Sequence, residues 1–158
     1  MNLFGVMDVS GSALKAERVR AEVVAANMAN AETTRTADGT PYKRQQVVFE
    51  SSGATTAFGD VLRGQPGVHF ASMGTPSAAG AIPGGVAVSG VVDDTSAPLM
   101  RYEPGHPDAD ANGYVAYPNI NPLTEMVDLM GATRAYGANA SALQAEKNMM
   151  NASLDILK

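Results

Sequence analysis

The 158-residue chain contains no cysteine and no tryptophan. The first absence removes several chemistries together: disulfide scaffolds, thiolate zinc sites, iron–sulfur clusters and cysteine nucleophiles. Basic side chains are also scarce, 11 against 16 acidic, for a net charge of −5. Nucleic-acid affinity rests mainly on Lys and Arg displacing counterions from phosphates, so nucleic acid is not an expected partner. Aromatic residues make up 6% of the chain, and much of its 45% hydrophobic content is Ala and Met, which limits any single globular core. One domain is the prior at this length.

No basic residue precedes Lys15, and the apolar stretch from Leu3 to Val9 is short and interrupted by Asp8. The charged and apolar regions of a secretory signal are both lacking, so no cleaved signal peptide is expected. An uncharged run from Gly64 to Val92 is long enough to cross a bilayer, but Pro66, Pro76, Pro83 and several glycines would break a spanning helix. A flexible loop explains it better, and direct membrane insertion is not expected.

What the chain does have is two ends that resemble each other more than either resembles the middle. Phe4, Met7, Gly11, Leu14, Arg18, Ala21, Ala25 and Met28 recur at alternating spacings of three and four, one stripe of a helix running to about Asn30. Thr33, Thr34, Thr36, Asp38-Gly39 and Pro41 then predict a turn-rich loop. A stronger stripe follows at the other end: Met126, Leu129, Thr133, Tyr136, Ala140, Leu143, Lys147, Met150, Leu154 and Leu157. Asn121-Pro122 reads as its N-cap and first helical residue. A helix from Pro122 to Lys158 would be roughly 55 Å long, more than a compact domain of this size spans. Its many small residues (Gly131, Ala132, Ala135, Gly137, Ala138, Ala140, Ala142, Ala145) call for other helices packed closely against it.

Short strand-like runs lie between: Gln45 to Glu50, Gly85 to Val92, Pro98 to Tyr102 and Tyr114 to Tyr117, with Asn112-Gly113 as a hairpin-type turn. The expected fold is mainly α with a small β element. Residues 1–34 and 121–158 form a discontinuous, coiled-coil-like helical domain; residues 35–120 form a middle segment of short antiparallel strands with a Gly/Ala/Pro-rich, low-complexity insertion at 51–84.

The chemical candidates are few. Asp108, Asp110, Asn112 and Gly113 match the first half of a calcium loop, but Asn119 stands where a bidentate Glu is needed, and Pro104, Gly105 and Pro107 forbid the entering helix. The same residues are what a tight turn requires, and the turn is the preferred reading. His69 and His106 have no nucleophile or second ligand near them in sequence, and adjacent Asp93 and Asp94 on a strand point to opposite faces. No phosphate loop, dinucleotide fingerprint or nucleophile elbow occurs, so neither catalysis, metal nor cofactor is expected. Lys15, Arg18 and Arg20 interleaved with Glu17 and Glu22 read as a solvated face. The methionines fit either a core or adaptable contacts with non-identical neighbours.

Two blocks of residues carry a resemblance. Met7-Asp8, Ser10-Gly11-Ser12-Ala13-Leu14, Ala26-Asn27-Met28-Ala29-Asn30-Ala31, Gly39-Thr40-Pro41-Tyr42 and Gln46-Val47-Val48-Phe49 form the first, with Asn27 to Asn30 a variant of an Asn-Leu/Ile-Ala-Asn motif. The second runs from Tyr102-Glu103-Pro104-Gly105 through Asn112-Gly113-Tyr114-Val115 to Pro118-Asn119 and Glu125-Met126-Val127. Together they resemble the bacterial flagellar rod and hook protein family, its proximal rod members in particular, over about residues 1–50 and 85–158.

That resemblance implies a structural subunit of the periplasmic rod, the drive shaft of the flagellum. It also implies passage, unfolded, through the flagellar type III export apparatus, and terminal helices that pack as an inner coiled-coil domain around the axial channel. The implied partners are copies of the chain, other rod proteins, and the membrane ring and rod-base adaptor proteins. Phe4, Met7, Leu14, Ala21, Met28, Met126, Leu129, Tyr136, Leu143, Met150 and Leu154 are the expected subunit-interface residues. The residues also leave room for a coiled-coil adaptor or secreted effector and, remotely, a calcium-binding domain.

Overall fold

The computed structural model describes residues 3–52 and 84–156. Helix α1 runs Leu3–Ala29. It is rich in Ala, Val, Glu and Arg and has no Pro, so nothing interrupts the ladder until Asn30. There the Asn30 side chain turns back to donate to Ala26 O at 2.9 Å, and Thr33 Oγ1 donates to Asn30 Oδ1 at 3.1 Å. This side-chain capping ends the helix. The following loop turns at Gly39, whose φ of +74° is costly for other residues, and whose N–H donates to Thr36 O.

Strand β1 (Gln45–Ser52) pairs antiparallel with β2 (Gly85–Asp93), from Gln45 opposite Asp93 to Ser52 opposite Gly85, with a bulge between Val48 and Phe49. The hairpin is held on α1 by a side-chain clip. Ser12 Oγ accepts the Val86 N–H at 3.0 Å while donating to Val9 O at 2.7 Å. Most of the expected insertion at 51–84, residues 53–83, lies outside the described residues. A second two-stranded sheet pairs β3 (Leu99–Tyr102) with β4 (Tyr114–Tyr117).

Helix α2 spans Pro122–Ile156, about 52 Å at roughly 1.5 Å per residue. Its start is as the sequence predicts: Asn121 Oδ1 accepts the Leu123 N–H at 3.0 Å and Pro122 occupies the first helical position. Leu157 of the expected stripe lies outside the described residues. Contacts of Ser10 with Glu146, Arg20 with Asp128 and Asn27 with Glu125 run in opposite sequence order, so α1 and α2 pack antiparallel. Two long terminal helices with short antiparallel strands between them match the expected fold class.

The interior is unusual in what fills it. Among the described residues the buried apolar side chains are Ala16, Val24, Val115, Ile120 and Ala132, while Ser10, Asn27, Glu125 and Glu146 are buried polar ones. Many large apolar side chains are half-buried, and others, among them Leu123, Val127 and Leu154, are exposed.

Candidate functional site

Three segments converge at one end of the helix pair: the last turn of α1, residues 42–45 leading into β1, and the first turn of α2. At their centre is Asn27, 1% exposed. Its Nδ2 donates to Gln45 O at 2.8 Å and to Glu125 Oε2 at 3.1 Å. Its Oδ1 accepts the Gln45 N–H at 2.9 Å and the Tyr42 hydroxyl at 3.2 Å. The Asn27 amide thus serves the first residue of β1 as a strand partner would, exchanging both main-chain hydrogen bonds with it.

Glu125, also 1% exposed, completes the cluster. Its Oε1 accepts Arg44 Nε at 2.6 Å, a short charge-assisted bond. A buried carboxylate is costly unless paired and hydrogen-bonded on its remaining lone pairs, and here Arg44 and Asn27 supply both conditions. Arg44 and Arg20 also approach Asp128 at 3.8 and 3.5 Å; these pairs are partly solvated and weak. Burial first, then the negative charges of Asp93 and Glu125, push the Tyr42 phenol above its ordinary range, so Tyr42 remains a donor to Asn27. Every polar atom of Asn27 is occupied by a structural partner. The cluster is a fastener between segments and offers no free nucleophile or base.

The second cluster joins the loop after α1 to the β3–β4 hairpin. Thr34 Oγ1 donates to Asp108 Oδ2 at 2.9 Å, Arg35 approaches Oδ1 at 3.5 Å, and the Asp108 N–H donates to His106 Nδ1. Asp110 Oδ1 accepts the Ala111 N–H, and Asp110 O the Gly113 N–H. The acidic residues of the half-matched calcium loop therefore serve a turn and a loop contact. No group of three His, Cys, Asp or Glu side chains is placed to hold a metal among the described residues. Gly113 has a φ of +78°, and a Cβ there would lie 2.9 Å from the Tyr102 ring and 3.2 Å from Pro104 Cβ. That close approach explains why Tyr102, Pro104 and Gly113 belong together. Tyr102 packs edge-to-face on Tyr114 at 5.4 Å, while Gly105 and Asn112 are exposed turn residues. Tyr117 donates to Glu103 at 2.9 Å, which holds its phenol high.

The remaining expected residues fall on the helices. Met7, Leu14, Ala21 and Met28 are half-buried on α1; the side chain of Phe4 lies outside the described residues. On α2, Leu129, Leu143 and Met150 are half-buried, whereas Met126, Tyr136 and Leu154 are exposed. On the face turned to α1, Glu125, Ala132, Asn139 and Glu146 recur every seven positions and are buried or half-buried, beside Leu129, Leu143 and Met150 of the expected stripe. Glu146 accepts only a 3.4 Å bond from Ser10, and its Oε2 has no hydrogen-bond partner among the described residues. On the opposite face Leu123, Met126, Val127 and Met130 form a solvent-facing apolar strip, each at least 50% exposed. Of the expected stripe, Met126 belongs to this outward strip, while Leu129, Leu143 and Met150 are half-buried beside the small and polar side chains of the seam. Arg44 and Glu146 carried no sequence signal that separated them from surface charges, although two glutamates 21 residues apart in a charge-poor helix are three whole heptads apart.

Two family models match the chain: "Flagella basal body rod protein" over residues 7–35, and "Flagellar basal body rod FlgEFG protein C-terminal" over residues 111–156. Among curated proteins, the flagellar basal-body rod protein FlgC of Bacillus subtilis is 41% identical over the full length of both chains. FlgC of Borreliella burgdorferi is 36% identical over all of this chain and 99% of its own. That of Salmonella typhimurium is 37% identical over 99% of this chain and 98% of its own.

Proposed function

The chain belongs to the flagellar basal-body rod protein family, and from that premise we propose that it is a structural subunit of the basal-body rod, assembling through its terminal helices into the periplasmic shaft. The observation that carries the assembly route is the distribution of apolar surface on α2. The fully buried seam positions on α2 are Ala132 and two glutamates, with Leu129, Leu143 and Met150 half-buried beside them, while Leu123, Met126, Val127 and Met130 face solvent. A helical hairpin stable by itself turns its large apolar residues inward; this one keeps a strip outward, where a neighbouring subunit can cover it. Contacts of that kind, between unlike faces of successive subunits, generate an open helical array rather than a closed dimer.

The neighbours this reading assigns are copies of the chain, other rod proteins, and the membrane ring and rod-base adaptor proteins, with the type III export apparatus engaged during secretion. Residues 1–34 and 121–158 act as the inner, channel-facing domain and 35–120 as the outer one. The role is mechanical, torque transmission, and uses no catalytic residue or cofactor. No described helix is long and apolar enough to cross a membrane.

A double variant, Met126→Asp with Met130→Asp, tests the reading. Both side chains are half exposed and turned away from α1, so the variant folds as the wild type does, as judged by circular dichroism, but it is absent from isolated basal bodies and the cells do not swim. Normal rods and motility would refute the assignment of this face. Leu143→Asp also abolishes incorporation, but through the α1–α2 seam, so it is the blunter test.

A further inference from the structure

We infer that docking of α2 on α1 and ordering of the β1–β2 hairpin are one cooperative step, with Asn27, Arg44 and Glu125 as the latch between them. Gln45 is the first residue of β1 and pairs with the last residue of β2, Asp93. Both of its main-chain groups are held by the side chain of Asn27, which fixes where the hairpin begins relative to the end of α1. The two bonds demand one orientation of the Asn27 amide, oxygen toward the Gln45 N–H and nitrogen toward its C=O. The second Nδ2 hydrogen is taken by Glu125 Oε2, on the other helix, so α2 holds the amide in the orientation that β1 needs.

The dependence also runs the other way. Glu125 is fully buried, and among the described residues its carboxylate is satisfied there by Arg44, one residue before β1, and by Asn27. If residues 42–45 leave, a charge is stranded in the interior of the helix pair; if α2 leaves, Arg44 and Asn27 lose their shared acceptor. A free-energy coupling of this kind is reciprocal. A neighbour that grips the outer hairpin therefore stabilises the docked α2, and a neighbour that grips α2 orders the hairpin. This consequence for assembly rests on the rod-subunit reading; the coupling is a property of the single chain.

Amide hydrogen exchange on the full-length free protein tests it without any rod, so its outcome is independent of the subunit assignment. Leu143 lies 18 residues from Glu125, about 27 Å along α2. Leu143→Ala weakens the seam there and speeds exchange in the middle of α2, by on the order of threefold to tenfold. The inference requires the Gln45 amide to speed up by a similar factor, although it is far from the substitution. Unchanged Gln45 protection beside a loosened α2 overturns it. So does a free wild-type protein in which Gln45 is protected while α2 exchanges freely. In Glu125→Ala the Gln45 amide exchanges faster and no longer responds when Leu143→Ala is added; a persisting response would show that coupling travels by another route and would refute the latch.

Discussion

Replacing Asn27 by Ala is the perturbation whose cost follows most directly from the structure. Four hydrogen bonds of 2.8 to 3.2 Å vanish with the carboxamide. They are not equal. The Tyr42 hydroxyl is only half-buried and turns to water at little cost. The Gln45 N–H and the Glu125 Oε2 lie against the buried amide and lose their partner there, and each stranded polar group costs about 1–3 kcal/mol. A water entering the polar-lined gap returns part of that. The net loss is about 3–4 kcal/mol, a large share of the roughly 5–15 kcal/mol by which a domain is stable, and it lowers the melting temperature by about 10 °C at this chain length. Urea and thermal unfolding followed by circular dichroism measure it. Asn27→Asp sharpens the test: it keeps the volume and the acceptor oxygen but loses the donor and sets a second carboxylate 3.1 Å from Glu125. It should destabilise at least as much as Ala at neutral pH. A neutral Asn27→Ala, or an Asn27→Asp milder than Ala, would refute the hydrogen-bond roles assigned to this residue.

Three further outcomes follow from the same geometry. Burial raises the folded-state pKa of Tyr42 above 10, so the neutral phenol is favoured by folding. Its contribution is fully present below pH 10 and is lost as pH rises through the folded value. Unfolding midpoints measured between pH 8 and about 11 should fall at the alkaline end, and Tyr42→Phe should flatten that slope. Gly113→Ala forces a Cβ to 3.2 Å from Pro104 at a φ of +78°; the Tyr102 ring can move aside but the backbone cannot, so the cost is about 1–2 kcal/mol, read by the same unfolding curves. Calcium should neither shift the melting temperature nor release heat in a titration, because Asp108 is held by Thr34 and Arg35 and Asp110 by its own turn. A calcium-dependent rise in stability would revive the loop as a metal site.

Much of the helix architecture was legible because its signals are local. The three-four spacing, Asn121-Pro122 at the start of α2, and Asn30 with its threonines after α1 act within a few residues of one another, as do the alternating runs that became β1 to β4. The half-matched calcium loop was also legible as a turn, since Asp110, Asn112 and Gly113 make their case through their own backbone. The helix face was harder to read. The pattern that marks a seam assumes that large apolar residues face the partner, and Met126 and Tyr136 fit that pattern while lying exposed in the single chain.

Glu125 and Arg44 mark the other limit. In sequence they are ordinary charges 81 residues apart, and no local rule separates them from Arg18 and Glu22, which pair in solvent on one helix face. Composition and spacing by themselves determined that the ends are long helices, that the middle is a small β element, and that the chain lacks the thiols for cysteine chemistry and the basic charge for nucleic-acid binding. Only the tertiary structure decided which charges are buried, that Asn27 takes the place of a strand for Gln45, and which side of α2 meets α1. Periodicity fixes which residues share a helix face, but only the approach of a second helix decides which face is covered. A buried charge also needs a partner whose distance along the chain carries no information.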